Sequence, residues 1–572
     1  MQTSPSTSRW RRFVALGLGG WVVLGTLAYL LAGLSEPSKF VPANVQSVSR
    51  TRPIDGGSAL PPPESAETDI DDVVAELDQI WSDDLSRRGL TAAAPADWQT
   101  VARRMSLALV GSGLSLEEVR QLESVPEARR LPTHVRRLLN DDRHHYYWAE
   151  RYARMFVGND EGQFVAFRRR RFVTWLAERF DRRTHYDDLV RQLITAKGLW
   201  TDHPEVNFYT ATFDSNDSKP DPVRLAARTS RVFLGLRIDC LQCHDDFLGN
   251  VSLGSVDDPR PGTQADFHSL AAFFTAAEFN GLQGVKSRSA KYRYKYLDAD
   301  EEVDVSPAVP YGHQYFDGEP DNERVALANW ITHPDNRQAA RSAVNHVWAL
   351  MFGRPIGDDV DNLPLEWETH PVIDRLVDDF IEDDFNLQRL IRVIAASGPF
   401  QVDSRADFDV DDAHEDALAV FPLVALRPEQ VAGAIAQASR IKTIDRESSL
   451  LIRTIAAGGE ADFVKRFGDQ GENELNPDKA TIAQRLLMMN GKLSRESIKA
   501  NPVLASSSHL VMFTDTDEQM VRGAYLATLN RTPTAGELSA WIEALAESES
   551  RERSAEDVFW TLVNSSEFLW NH

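Results

Sequence analysis

Asp221-Pro-Val-Arg-Leu-Ala-Ala-Arg-Thr-Ser-Arg-Val-Phe-Leu-Gly-Leu-Arg-Ile-Asp-Cys-Leu-Gln-Cys-His244 carries both a helix signal and a cluster of reactive side chains. Asp221 followed by Pro222 reads as an N-cap with proline at the first helical position, a place where the missing N–H is harmless. The helix it opens runs toward Cys240. The stretch closes on Cys-x-x-Cys-His, the attachment signature of c-type haem. Two thiols three residues apart on a helical turn reach the two vinyl groups of one porphyrin, and the next imidazole can coordinate the iron. Cys240 and Cys243 are therefore the expected thioether anchors and His244 the expected proximal ligand of one covalent haem.

The same helical signals extend on both sides. Ser115-Leu-Glu-Glu118 fits a capping box followed by Val119 and Leu122. Trp148, Tyr152, Met155 and Phe156 share a helical face, and Gly158 would stop that helix. Ala340, Val344, Val347, Trp348 and Met351 repeat the spacing before Gly353 and Pro355. Further helices are predicted from Pro371, over 386–397, and along the stripe Leu538, Trp541, Ile542 and Leu545. Ser554-Ala-Glu-Asp557 is expected to cap a last helix ending near His572. Between Gly281 and Pro320 the period changes: Tyr292, Tyr294 and Tyr296 alternate with Arg293 and Lys295, which predicts a strand. The expected class is mainly α, a multi-helical two-domain region with a minor β element.

At the N-terminus, Arg9-Trp-Arg-Arg12 precedes an uncharged run from Phe13 to Leu34. At about 1.5 Å per residue that run can cross the roughly 30 Å hydrocarbon layer, and the arginines place the N-terminus inside. A cleaved signal peptide has a shorter apolar region, and Gly33-Leu34-Ser35 is a poor cleavage site. The expectation is one uncleaved transmembrane helix, with the bulk of the chain periplasmic. Divided this way, the chain has a cytoplasmic tail (1–12), an anchor (13–34) and a flexible Pro- and Ser-containing linker (35–68). A first domain with the haem motif (69–280), a linker or small sheet (281–320) and a second helical domain (321–572) follow.

With 86 acidic against 62 basic residues and a net charge of -24, a nucleic-acid partner is not expected. The expected partners are the membrane, through the N-terminal helix, and a redox protein. Only two cysteines occur, so the core is held by burial and not by a disulfide framework. Readings other than haem remain open for them: a Cys240–Cys243 disulfide, or a metal site completed by local histidines. The sixth iron ligand is open among His268, His346, His572, Met155, Met351 and Met512. Arg168 to Arg171 read as a solvated helix face or a propionate contact. Asp239, Asp245 and Asp246 read as solvating groups or a cation site.

Arg231-Val-Phe-Leu-Gly-Leu-Arg-Ile-Asp-Cys-Leu-Gln-Cys-His244 followed by Asp266-Phe-His-Ser-Leu-Ala-Ala-Phe-Phe274 resembles the first of two domains of unknown function paired in exported planctomycete proteins, the planctomycete cytochrome-associated domains. The second is resembled by Arg324-Val-Ala-Leu-Ala-Asn-Trp-Ile331, Ala343-Val-Asn-His-Val-Trp348, Leu526-Ala-Thr-Leu-Asn-Arg-Thr-Pro-Thr534 and Asn564-Ser-Ser-Glu-Phe-Leu-Trp-Asn-His572. The resemblance covers about residues 70–572. It implies an exported, cytochrome-like protein without a settled activity. Many members carry a further cytochrome c domain, and this chain has no second Cys-x-x-Cys-His. The commoner pattern places a histidine where this chain has Asp246, so no ligand role carries over to that position. Residues 249–262 also form a longer connection than usual. The function expected is that of an anchored mono-haem protein passing or sensing electrons. The alternatives are a haem-free scaffold with a Cys240–Cys243 disulfide and a polysaccharide-related hydrolase.

Overall fold

The computed structural model describes residues 70–572 apart from 159–168, 214–218, 255–257, 259, 289, 319–321, 358, 366–369, 445–447, 449–462, 469–474, 476–480, 492, 495–504, 547 and 549. The expected anchor and linker lie outside the described residues, as does Arg168. Among the described residues no helix is long and apolar enough to cross a membrane.

Residues 68–572 form one compact, mainly helical unit. Its helix ends follow local chemistry. Asp221 caps helix Pro222–Leu234 by accepting from the Val223 and Arg224 amides at 2.9 and 3.2 Å. Ser115 and Glu118 form the capping box of helix Leu116–Glu123. Gly158 ends helix Asp142–Val157 and Gly353 ends helix Arg337–Phe352. Helix Pro371–Glu382 starts with proline at N1, and helix Leu387–Ala396 lies between the Asn386 and Ser397 caps. Asp221→Ala is expected to cost about 1 kcal/mol, read as a lower denaturation midpoint; an unchanged midpoint would mean that the cap is idle.

Helix Arg337–Phe352 is buried on nearly all sides. It packs against Trp98–Val110, Pro222–Leu234, Pro371–Glu382 and Leu387–Ala396, and its Trp348 and Phe352 rings stack with centroids 3.9 Å apart. One core therefore runs from Val73, Leu77 and Trp148 through Phe233, Leu241 and Phe267 to Trp348 and Phe400. The segments expected as separate domains on either side of 281–320 share it. A second cluster gathers Val431, Ile435, Met520, Tyr525, Val558 and Phe559.

Three two-stranded antiparallel sheets are present among the described residues. Strand β1 (Ala277–Asn280) pairs with β2 (Gly284–Ser287), β3 (Tyr292–Tyr294) with β4 (Val303–Val305), and β5 (Val424–Ala425) with β6 (Trp570–Asn571). The tyrosine alternation is thus a strand, cut short after Tyr294. The end of the chain differs from expectation. Ser550, not Ser554, caps the last α-helix, Arg551–Val563, accepting from the Arg553 amide. The Ser554 hydroxyl instead donates to the Ser550 carbonyl, and the chain turns after Asn564 so that 570–571 can pair with β5. The stripe on helix Ala535–Leu545 is also thinner than expected, because Ile542 is exposed while Leu545 is buried.

Candidate functional site

Gly235 stops the helix from Asp221 in a left-handed conformation (φ 60), which glycine adopts without steric cost. A Cβ there would also lie 3.3 Å from Ser342 and Leu363. The chain then dips into the core at Ile238 and Leu241, both fully buried. Between and after them, Asp239–Gln242 forms a 3-10 turn, with the Cys243 and His244 amides donating to the Cys240 carbonyl at 3.2 and 3.4 Å. This alternation holds the turn by Leu241 while Cys240, Gln242, Cys243 and His244 stay exposed. Both cysteines are free. Partial shielding from water, and then the Asp246 carboxylate, push the Cys240 thiol up, so it stays a thiol near neutrality.

The His244 Nδ1 donates to the Asp245 carbonyl at 2.8 Å, which makes Nε2 the lone-pair nitrogen. The Phe247 ring lies 6.5 Å from the imidazole and nearly parallel to it. Phe247 and Leu248 are 81% and 85% exposed. They are held out by Asp246, whose buried carboxylate accepts from the Leu248 and Val251 amides at 3.1 and 2.5 Å while its own amide donates to the Gly262 carbonyl. Asp245 accepts from the Gln264 amide at 2.7 Å. These two carboxylates thus organise the loop and the next helix. No group of three or more His, Cys, Asp or Glu side chains converges as a metal cage among the described residues.

The helix after the loop, Gln264–Ala272, starts with a Thr263–Asp266 capping box, and Arg260 grips Asp266 through two hydrogen bonds of 2.8 and 2.7 Å. It brings His268, fully buried, against the motif: Nε2 meets the Gln242 carbonyl at 3.1 Å and Nδ1 the Tyr292 hydroxyl at 2.9 Å. Tyr294 donates to the same carbonyl at 3.0 Å and Gln264 Nε2 at 3.3 Å. Sequence reasoning did not assign Gln242, Gln264 or the tyrosines to the site. The signal was the tyrosine alternation, legible as a strand but not as a neighbour of the motif.

The other candidates lie elsewhere. Met155 and His346 line a cavity of about 30 Å³ with Arg231 and Asp361. Met351 is buried in the core, and Met512 is exposed on helix Ser506–Phe513. His572 lies 3.7 Å from Glu567. Arg169 to Arg171 line a cleft of about 1410 Å³ with Trp175, Trp200 and four acidic residues. Two of those acids are ion-paired, Glu150 with Arg169 (2.7 Å) and Glu178 with Arg182 (3.9 Å), and Glu205 is hydrogen-bonded to His203 Nδ1 (3.2 Å).

Two family models match in tandem. Residues 76–279 match PSCyt2, "Protein of unknown function (DUF1549)", and residues 323–451 match PSD1, "Protein of unknown function (DUF1553)". No curated protein and no solved structure matches the chain. The Cys240–His244 turn falls inside the first match and the helix Arg337–Phe352 inside the second, and the chain belongs to the family of proteins that join these two domains of unknown function.

Proposed function

We propose that this chain is a membrane-anchored, extracytoplasmic cytochrome-like protein in which Cys240 and Cys243 would hold one haem covalently and His244 would ligate its iron. The observation that carries the reading is the exposure of two free thiols and an imidazole on one turn that Leu241 pins to the core. Cys240 and Cys243 would hold the haem through two thioether bonds, each thiol supplying the sulfur. The His244 Nδ1–H bond to the Asp245 carbonyl orients the ring and leaves Nε2 for the iron. The exposed Phe247 and Leu248 supply apolar surface beside it. Haem bound here supplies one-electron chemistry. Anchoring rests on the uncharged run Phe13–Leu34 behind three arginines.

The test is expression of the full chain in a host with cytochrome c maturation, followed by haem staining of a denaturing gel and intact mass. One haem's added mass is expected, lost on replacing Cys240 and Cys243 together by alanine. An unstained band at the apo mass, beside a control cytochrome that stains, would overturn the reading. It would favour the scaffold with a Cys240–Cys243 disulfide, which the same mass measurement reads as a loss of two hydrogens.

A further inference from the structure

We propose that His268 is the residue that positions the Cys240–His244 turn, and that it is not an iron ligand. The second half rests on the haem reading; the first stands without it. The Gln242 carbonyl can only accept, so the contact at 3.1 Å requires the hydrogen on His268 Nε2. The lone pair of the neutral ring is then on Nδ1, where the Tyr292 hydroxyl donates to it at 2.9 Å. Both nitrogens are committed to holding the fold.

What they hold is the peptide between Gln242 and Cys243, in the middle of the motif. Three donors converge on its carbonyl: His268 Nε2, the Tyr294 hydroxyl and Gln264 Nε2. They come from a helix and from β3, and the Tyr294 ring stacks on the His268 ring with centroids 3.4 Å apart. Gln242 itself is exposed, so water could satisfy this carbonyl at little cost. A buried imidazole held by hydrogen bonds at both nitrogens fixes the plane of that peptide, which an exchanging water does not. That plane matters wherever two thiols and an imidazole on one turn must meet a rigid planar group, because such constellations tolerate misplacement of only about 0.5 Å. The Tyr292-Arg-Tyr294 strand and Asp266-Phe-His268 therefore form one clamp on the turn.

The experiment compares the full chain with His268→Gln, His268→Phe and Tyr294→Phe. In protein made without maturation, the rate of Cys240 and Cys243 labelling by a maleimide and amide hydrogen exchange over 241–244 are read. His268→Phe, which removes the bonds to the Gln242 carbonyl and the Tyr292 hydroxyl, is expected to raise amide exchange about tenfold and labelling by less, since both thiols are already exposed. His268→Gln, which keeps an amide donor, is expected to return them toward wild type, and Tyr294→Phe to give a smaller rise. Rates unchanged in all three variants would reduce His268 to a core filler and overturn the positioning role. In matured protein, His268→Phe is expected to lower the fraction carrying haem while the visible spectrum of the haem it does carry stays that of wild type. A change of iron spin state in both His268 variants would make His268 a ligand and overturn the second half. Wild-type protein that takes up no haem would overturn the haem reading, and the labelling and exchange rates would still decide the positioning role.

Discussion

Arg104→Ala is expected to destabilise the unit of residues 68–572 by about 5 kcal/mol, the sum of three stranded carbonyls and a cavity. The guanidinium is fully buried on helix Trp98–Val110. Its Nε donates to the main-chain oxygen of His572 at 2.7 Å, and Nη1 donates to the carbonyls of Phe400 and Val402, both at 2.8 Å. Its plane lies 3.7 Å from the centre of the Phe421 ring. Burial lowers its pKa to about 9, still charged at neutral pH. One side chain thus ties a helix of the first matched segment to residues of the second and to His572, which follows the last strand. Arg104→Lys, a single point donor in place of a planar fork, is expected to recover only part of the loss. Urea denaturation followed by tryptophan fluorescence checks this. A shift below about 1 kcal/mol for alanine would mean that the carbonyls find other donors. Because the core is continuous across 281–320, the loss should appear in a single transition.

Acidification between pH 6.5 and 4 is expected to weaken the fold through its buried histidines. His134 and His144 are buried. Burial lowers the first to about 4 and the second, helped by neighbouring His145, to about 3. Their rings are held as neutral groups, His134 Nε2 against the Ser106 hydroxyl at 2.8 Å and His144 Nδ1 against the Leu109 carbonyl at 3.1 Å. The unfolded chain takes up protons near pH 6.5 and the native state does not, so each histidine's contribution is complete above 6.5. It falls by about 1.4 kcal/mol per pH unit until the folded pKa is reached. Burial moves His268, His346, His370 and His572 in the same direction, which steepens the slope. Glu537 acts in a lower window: hydrogen bonds from Arg531 hold its carboxyl at about 2, so its contribution is lost only below its ordinary value of 4.5. Denaturant midpoints at pH 7, 6 and 5 measure this. Trp148, whose ring is 5.1 Å from His144, is a local reporter. A midpoint constant from pH 7 to 5 would show that these rings take up protons in the native state as readily as in the unfolded chain.

Much of the fold is legible locally. Asp221-Pro222, the Ser115–Glu118 box, the Trp148–Tyr152 stripe ending at Gly158, and Gly353 all act through neighbours within a few residues. The place of the last helix was misread because Ser550 and Ser554 offer the same hydroxyl four residues apart. In the structure Ser550 takes the cap, and after Asn564 the chain turns so that β6 pairs with Val424 and Ala425 far upstream.

Of the candidate site, the closeness of Cys240, Cys243 and His244 was readable, because residues three and four apart are joined by a single turn here. So was the absence of a second such motif in the chain. The clamp was not readable. His268 stood out as a histidine near the motif, but its partner carbonyl lies 26 residues away and Tyr294 another 26 beyond His268. Arg104 reads as one more arginine on an amphipathic helix, yet it meets carbonyls 296 and 298 residues on. Helix caps and the short Cys240–His244 turn are decided by groups within about four residues, so the sequence alone determined them. Which buried donors face which carbonyls depends on how helices pack into one core, and only the tertiary structure decided that.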